Sequence, residues 1–344
     1  MTDDAALVDA VRSALRRLGA GCALTAQADR SRGRLRRLPW FMAFAGGVFG
    51  AAAAIYGRGG LEGITLSTAL FAVVFWLLGI RLTRRMHTNE APRWALAIRR
   101  RALEAAVEAL KATDRLPAGD ELTVEDAEGA TLDFRLLAQT GATPPTPNSY
   151  LEEALAGRAR GVAYALGATD YGYQLDRGQP DLSGRLLQIE LGRSFDGAAV
   201  MSWETGDLAR VAHNWFASVH LTARPGEPPP GTEGVRVQRT ASANAFESLP
   251  RTFFDALGAY LTAAEHPPFL LAAGDRWLLL YLQGVGALTG DEAELGRALA
   301  RTAEDETALE GPALAAAAAI PPLHALVATL SETAAPSRSP LPEA

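Results

Sequence analysis

Two uncharged apolar stretches lie near the N-terminus, Leu38 to Gly57 and Gly63 to Ile80, separated only by Arg58-Gly-Gly-Leu-Glu62. Their length constrains the fold more tightly than any other feature. A hydrocarbon core of about 30 Å needs about 20 helical residues at about 1.5 Å each. Between Arg37 and Arg58 there are 20 uncharged residues, and between Glu62 and Arg81 there are 18. Two membrane spans are expected, at about 38–57 and 63–81. The second is the stronger, because Leu66, Leu70, Phe71, Val73, Val74, Phe75, Trp76, Leu77, Leu78 and Ile80 all favour insertion. The first is rich in Ala and Gly and is expected to enter as its partner. Trp40 and Phe41 at one end and Tyr56 at the other stand where interfacial aromatics belong. The competing reading, a buried helix pair in a soluble core, calls for a polar stripe that neither stretch has.

Arginines set the expected orientation. Arg30, Arg32, Arg34, Arg36 and Arg37 precede the first stretch and Arg81, Arg84 and Arg85 follow the second, whereas the connection holds only Arg58. Positive flanks stay in the cytoplasm, which predicts a multi-pass protein of the bacterial inner membrane with both termini inside. A cleaved signal peptide fits poorly, since 37 arginine-rich residues precede the apolar run and a second span follows at once. Neither stretch carries an ionisable residue, so a two-helix conduit is not expected. Gly46 and Gly50 form a Gly-x-x-x-Gly face that permits close helix contact, either within the hairpin or between two protomers.

One cysteine, Cys22, cannot form an internal disulfide and suits a reducing compartment. The formal charge of −6 hides an asymmetry. Residues 1–90 carry 12 basic and 6 acidic side chains, leaving a net −12 on the remainder. An acidic body argues against nucleic-acid binding. The expected partners are the lipid bilayer, a cytosolic or membrane protein of unknown identity, and a second copy through the hairpin.

The chain divides by pattern. Residues 1–37 form a basic N-terminal segment whose Leu7, Val11, Leu15 and Leu18 make an apolar helical stripe beside Arg12, Arg16 and Arg17. Two readings stay open for it: a helix lying on the anionic inner leaflet, or a flexible basic tail. Residues 38–82 are the transmembrane hairpin. Residues 88–117 hold a juxtamembrane helix, with Asn89 as cap, Pro92 in the first turn and Leu96, Leu103, Val107 and Leu110 on one face. Residues 118–333 are a mixed α+β body with a mainly antiparallel sheet, and 334–344 a disordered, proline-bearing tail.

Alternation predicts strands at 187–191, 218–222 and 235–238, and Arg276–Gln283, apolar on both faces, should be a central strand. Further strands are expected at 121–125, 131–137, 161–166 and 198–203, with hairpin-like turns at Asp176-Arg-Gly178 and Phe195-Asp-Gly197. Helices are expected at 248–264, capped by Ser248, and at about 291–306 and 321–333. Pro225 to Gly231 reads as a stiff exposed loop.

Catalytic patterns are sparse. His213 and His220 lack companion ligands for zinc, and no Gly-x-Ser-x-Gly occurs. Cys22 has no base beside it. The adjacent acids Glu152-Glu153 and Glu304-Asp-Glu306 read as solvated faces. Gly284-Val-Gly286-Ala-Leu-Thr-Gly290 imitates a dinucleotide loop with the wrong spacing, and the acids that follow would repel a pyrophosphate. Thr289 with Glu292 reads instead as a capping box. No metal or cofactor is expected.

From Ala102 to Leu282 the order and spacing resemble a known family. The resemblance is carried by Leu151-Glu-Glu-Ala-Leu-Ala-Gly157, by Leu186–Val200, by Phe246-Glu-Ser-Leu-Pro-Arg-Thr-Phe-Phe-Asp-Ala-Leu257 and by the strand introduced by Gly274-Asp-Arg-Trp277. The family is that of uncharacterised bacterial two-span membrane proteins with a cytosolic domain of unknown function, of the DUF3137 type. This chain departs from it at Leu191-Gly-Arg-Ser-Phe195. The resemblance implies an architecture and no activity. Two functions remain: a membrane-tethered binding or scaffold domain, and a membrane-anchored enzyme acting on a membrane-proximal substrate through a site not visible in the sequence.

Overall fold

The computed structural model describes residues 2–18, 20–56, 61–126, 129–145, 150–170, 184–229, 232, 234–240, 245–290 and 306–331. The chain forms two compact units. A helical unit holds Leu15–Ile98 with Gly296–Leu309, and a sheet unit holds Met1–Ala14, Arg99–Leu295 and Glu310–Ala344.

Three helices open the chain: α1 (Thr2–Arg17), α2 (Ala20–Tyr56) and α3 (Leu61–Ala112). Both apolar stretches are therefore parts of longer helices. Residues 20–37, expected to lie outside the span, continue helically into it, with Pro39 inside α2. The expected break before a separate juxtamembrane helix is absent, because α3 runs unbroken past Asn89 and Pro92. In α1 the predicted stripe is real but is covered by protein: Leu7, Val11 and Leu15 are buried. Arg12 pairs with Glu310 at 2.9 Å and Arg115 with Asp4 at 3.5 Å. Neither the leaflet-bound helix nor the flexible tail describes this segment, since its apolar face already has a protein partner.

The sheet unit is built on nine antiparallel strands: β1 (Glu121–Glu125), β2 (Tyr150–Ala159), β3 (Val162–Asp170), β4 (Gly184–Glu190), β5 (Ala198–Trp203), β6 (Arg224–Gly226), β7 (Val235–Arg239), β8 (Phe269–Gly274) and β9 (Trp277–Gln283). Their order is β1-β2-β3-β4-β9-β8-β5-β7-β6. One row crosses seven of them through Leu155, Leu166, Leu187, Leu280, Leu271, Met201 and Val237. All seven are buried, and so are their neighbours on the opposite face of β4, β8 and β9. Burial on both faces explains why these strands read as continuous apolar runs. The expected α+β class and the central strand at 276–283 hold.

Helices cover both faces. The helices α4 (Arg135–Gln139) and α5 (Asp207–Val219) pack on one side, where Leu132, Phe134, Leu208, Ala212 and Phe216 meet Leu186, Val200, Leu270 and Tyr281. On the other face, α7 (Glu310–Ala328) lies on β2 and β3, and α6 (Arg251–Ala263) packs on α7.

Several local expectations fail for identifiable reasons. Residues 131–137 alternate without pairing: Gln188 reaches out of β4 to accept from Asp133 N at 2.8 Å, and a helical turn follows. Residues 218–222 are not a strand, because Leu208, Ala212, His213 and Phe216 make the buried face of α5. Val219 and Leu221 are left exposed at its end. Phe195-Asp-Gly197 joins β4 to β5, which are not neighbours, so it is no hairpin turn. The tight turns are Arg160-Gly161 and Asp275-Arg276, with Arg160 at φ 47° and Gly161 at φ 88°. Ser248 does not cap α6; its hydroxyl donates to Ala245 O, and Pro250 is the N-cap. Strand β8 was not anticipated, and Pro225 and Gly226 form an edge strand rather than a loop. The last helix starts at Glu310, not Pro321. The turn at 176–178, the helix at 291–305, Glu292 and the tail lie outside the described residues.

Candidate functional site

The helical unit has the more distinctive surface. Its two apolar segments, Arg37–Tyr56 and Ile64–Arg81, are long and apolar enough to cross a membrane. They touch through their small residues. A Cβ on Gly46 would lie 2.6 Å from Phe71 O and from Phe75 Cβ, and one on Gly50 2.6 Å from Ser67 O. At the far end a Cβ on Gly79 would lie 2.8 Å from Pro39 Cα. Ser67 Oγ donates to Gly50 O at 3.1 Å, across the contact. The expected glycine face is thus used within the chain.

Large side chains point the other way. Trp40 and Phe44 are 72% exposed, Leu66 74% and Tyr56 90%, with Phe41, Phe49, Ile55, Leu70, Val73 and Leu77 also exposed. Small residues inside and large apolar residues outside invert the order of a water-soluble helix pair. Among the predicted interface residues, Trp40, Tyr56, Arg37 and Arg81 are exposed at the ends of the two segments. Arg36, Arg84 and Arg85 occupy helical positions of α2 and α3, and their side chains lie outside the described residues.

A third helix, α7, also has the length and composition of a span. Half of it is buried, and it carries His324 into the sheet unit. There Nε2 of His324 meets Asp120 Oδ2 at 2.8 Å, and Nδ1 meets Tyr164 OH at 2.8 Å. Asp120 also accepts from Arg160 N at 2.7 Å. Burial, then the nearby Asp120 charge, pushes the Tyr164 phenol up. The chain of bonds ties α7 to β3 and to the start of β1.

Two further buried clusters stand where the sequence hinted at chemistry. Ser202, His213 and Gln238 form a line resembling a nucleophile, a base and an orienting group. Ser202 Oγ spends its proton on Trp203 O at 2.9 Å, so His213 Nε2 must donate to Ser202 Oγ at 3.0 Å. With its amide nitrogen turned toward the ring, Gln238 donates to Nδ1 at 3.2 Å while its oxygen accepts from Arg236. Both ring nitrogens are satisfied in the neutral imidazole. Burial, and more weakly the Arg236 charge, lowers His213 to about 4. Ser202 is 1% exposed and has no proton to give. The line is a structural bridge from α5 to β5 and β7.

Glu152 and Glu153 do not form one solvated face, because Glu153 is buried. They lie in β2 at a bulge between Leu151 and Glu153, which sends the two carboxylates to different surroundings. Glu153 is buried and accepts from Leu288 N, from Thr289 N at 3.4 Å and from Thr289 Oγ1 at 3.0 Å. Arg99 reaches Thr289 Oγ1 at 3.2 Å and Glu152 at 3.3 Å, and Arg185 donates to Gly286 O at 2.8 Å. Burial pushes the Glu153 carboxyl up, opposed by the Leu288 N–H and by Arg99, Arg185 and Thr289. The loop that imitated a dinucleotide site is therefore an anion nest filled by the protein's own carboxylate.

An open cavity of about 560 Å³ lies beside the start of α5, lined by Glu204, Thr205, Asp207, Arg210, Asn214 and Arg236. Its charges balance, and Arg210 pairs with Asp207 at 2.9 Å. His220 is elsewhere, meeting Thr140 O at 3.2 Å. Among the described residues no group of three His, Cys, Asp or Glu is placed to hold a metal. No protein-family model, curated protein or solved structure matches the chain.

Proposed function

We propose that this chain is an integral membrane protein in which Arg37–Tyr56 and Ile64–Arg81 form a two-span hairpin, presenting the sheet unit as a binding or scaffold module. The observation that carries the reading is the inside-out packing of the two segments: glycine contacts inward, Trp40, Phe44, Leu66 and Tyr56 outward. In water those side chains would forfeit about 25 cal/mol for each Å² of apolar surface left exposed, whereas lipid solvates them. The arginines flanking both segments favour an inner-membrane orientation with both termini cytoplasmic. This layout agrees with that of the two-span family whose motifs the sequence resembles.

A binding role is favoured over an enzymatic one by how the sheet unit employs its buried polar groups. Ser202 and His213, Glu153 and Arg99, and Asp120 with His324 and Tyr164 each bond to other parts of the chain. The test is fractionation of cells expressing the full chain. Retention in the membrane pellet through alkaline carbonate, with release only by detergent, is expected. Appearance in the aqueous fraction without detergent sinks the proposal.

A further inference from the structure

The two apolar segments run antiparallel, and the Pro39–Gly79 contact places the start of one level with the end of the other. Arg37 lies two residues before that contact and Arg81 two residues after it, so each backbone sits about 3 Å further along its helix, at one end of the pair. Both arginines are exposed, and no carboxylate pairs with either among the described residues. No acidic residue occurs in 30–37 or 81–89. Trp40, 72% exposed, and Trp76, 38% exposed, lie within about one turn of the same level. The opposite end has no such cluster: Arg58 shares its connection with Glu62.

Resting on the hairpin reading above, we infer that the Arg37/Arg81 end of the helix pair is a binding site for anionic phospholipid, each guanidinium taking a headgroup phosphate and Trp40 and Trp76 lying at the glycerol level. Guanidinium matches phosphate with two parallel N–H donors, and indole settles where one edge is apolar and the other wet. Two residues turn an α-helix by about 200°, so each arginine leaves the Pro39–Gly79 contact on the outer side of its own helix, where it can take the phosphate of a separate headgroup. This goes beyond orientation by net charge, because it assigns a lipid class and two contacting side chains.

The experiment uses the full-length protein in nanodiscs holding phosphatidylglycerol and phosphatidylcholine in equal amounts, with retained lipid counted by native mass spectrometry. The wild type should carry phosphatidylglycerol in preference, by about fivefold per contributing arginine. The double variant Arg37→Gln/Arg81→Gln should lose that preference, while Arg37→Lys/Arg81→Lys should keep most of it. Addition of inorganic phosphate should leave the bound lipid in place. Equal retention of both lipids by the wild type, an unchanged preference in the Gln variant, or displacement by free phosphate overturns the inference while leaving the hairpin intact. Failure of the chain to enter nanodiscs at all overturns the hairpin reading itself.

Discussion

At the residue scale the sheet unit depends on buried polar groups that must keep one ionisation state. His213 is held neutral because protonating Nδ1 would set a second donor against the Gln238 amide, in a site that already disfavours charge. Its value falls from 6.5 in the unfolded chain to about 4 when folded. Between those limits the unfolded state binds more protons, so this contribution is whole above about pH 6.5 and is lost as pH falls toward 4. It is worth at most about 3 kcal/mol. Denaturation of the full chain in detergent should show stability declining over that window, and His213→Gln should flatten the decline; identical slopes would refute the assignment. Glu153→Ala should cost about 3–5 kcal/mol, because it strands the Leu288 and Thr289 donors beside Arg99 and Arg185. Denaturant midpoints check it, with an unchanged midpoint as the contrary result.

At the element scale the helix pair distinguishes glycines that look alike in the sequence. Gly46 and Gly47 are adjacent, but a Cβ on Gly46 meets Phe71 O at 2.6 Å while one on Gly47 meets Thr68 Cγ2 at 3.7 Å, an ordinary contact. Gly46→Ala should therefore open the pair and lower thermal stability in detergent, by about 1–3 kcal/mol for the overpacked contact. Gly47→Ala should be tolerated. Equal effects would mean that this contact does not form. The helix α7 matches the two segments in length and apolar composition. Tyr164 and Asp120 hold its His324 in the sheet unit, so His324→Leu, which makes the helix more apolar, should destabilise the protein rather than drive α7 into membrane.

At the scale of the whole molecule the proposal is a count of crossings. Two spans return the chain to the side where it began, whereas three would put the C-terminus opposite. A reporter fused after Ala344 should work in the cytoplasm and fail when it requires export. The reverse pattern would mean that α7 crosses.

What the sequence settled by itself is what depends on neighbours in the chain. The apolar runs at 38–57 and 63–80 declare their length and content without reference to anything distant. So do the two-faced strand at 277–283 and the helix whose Phe253, Leu257 and Leu261 recur at helical spacing. What only the tertiary structure decided is where polar and half-polar residues went. Glu153 looked solvated until a loop 135 positions on supplied its donors, and His324 had no visible role until Asp120, 204 positions before it, supplied an acceptor. The alternation at 131–137 is genuine, yet Gln188 of a distant strand turned it into a covered loop. Burial of a polar group is stable only with its partner in place, and no local pattern records a partner that folding brings from far along the chain.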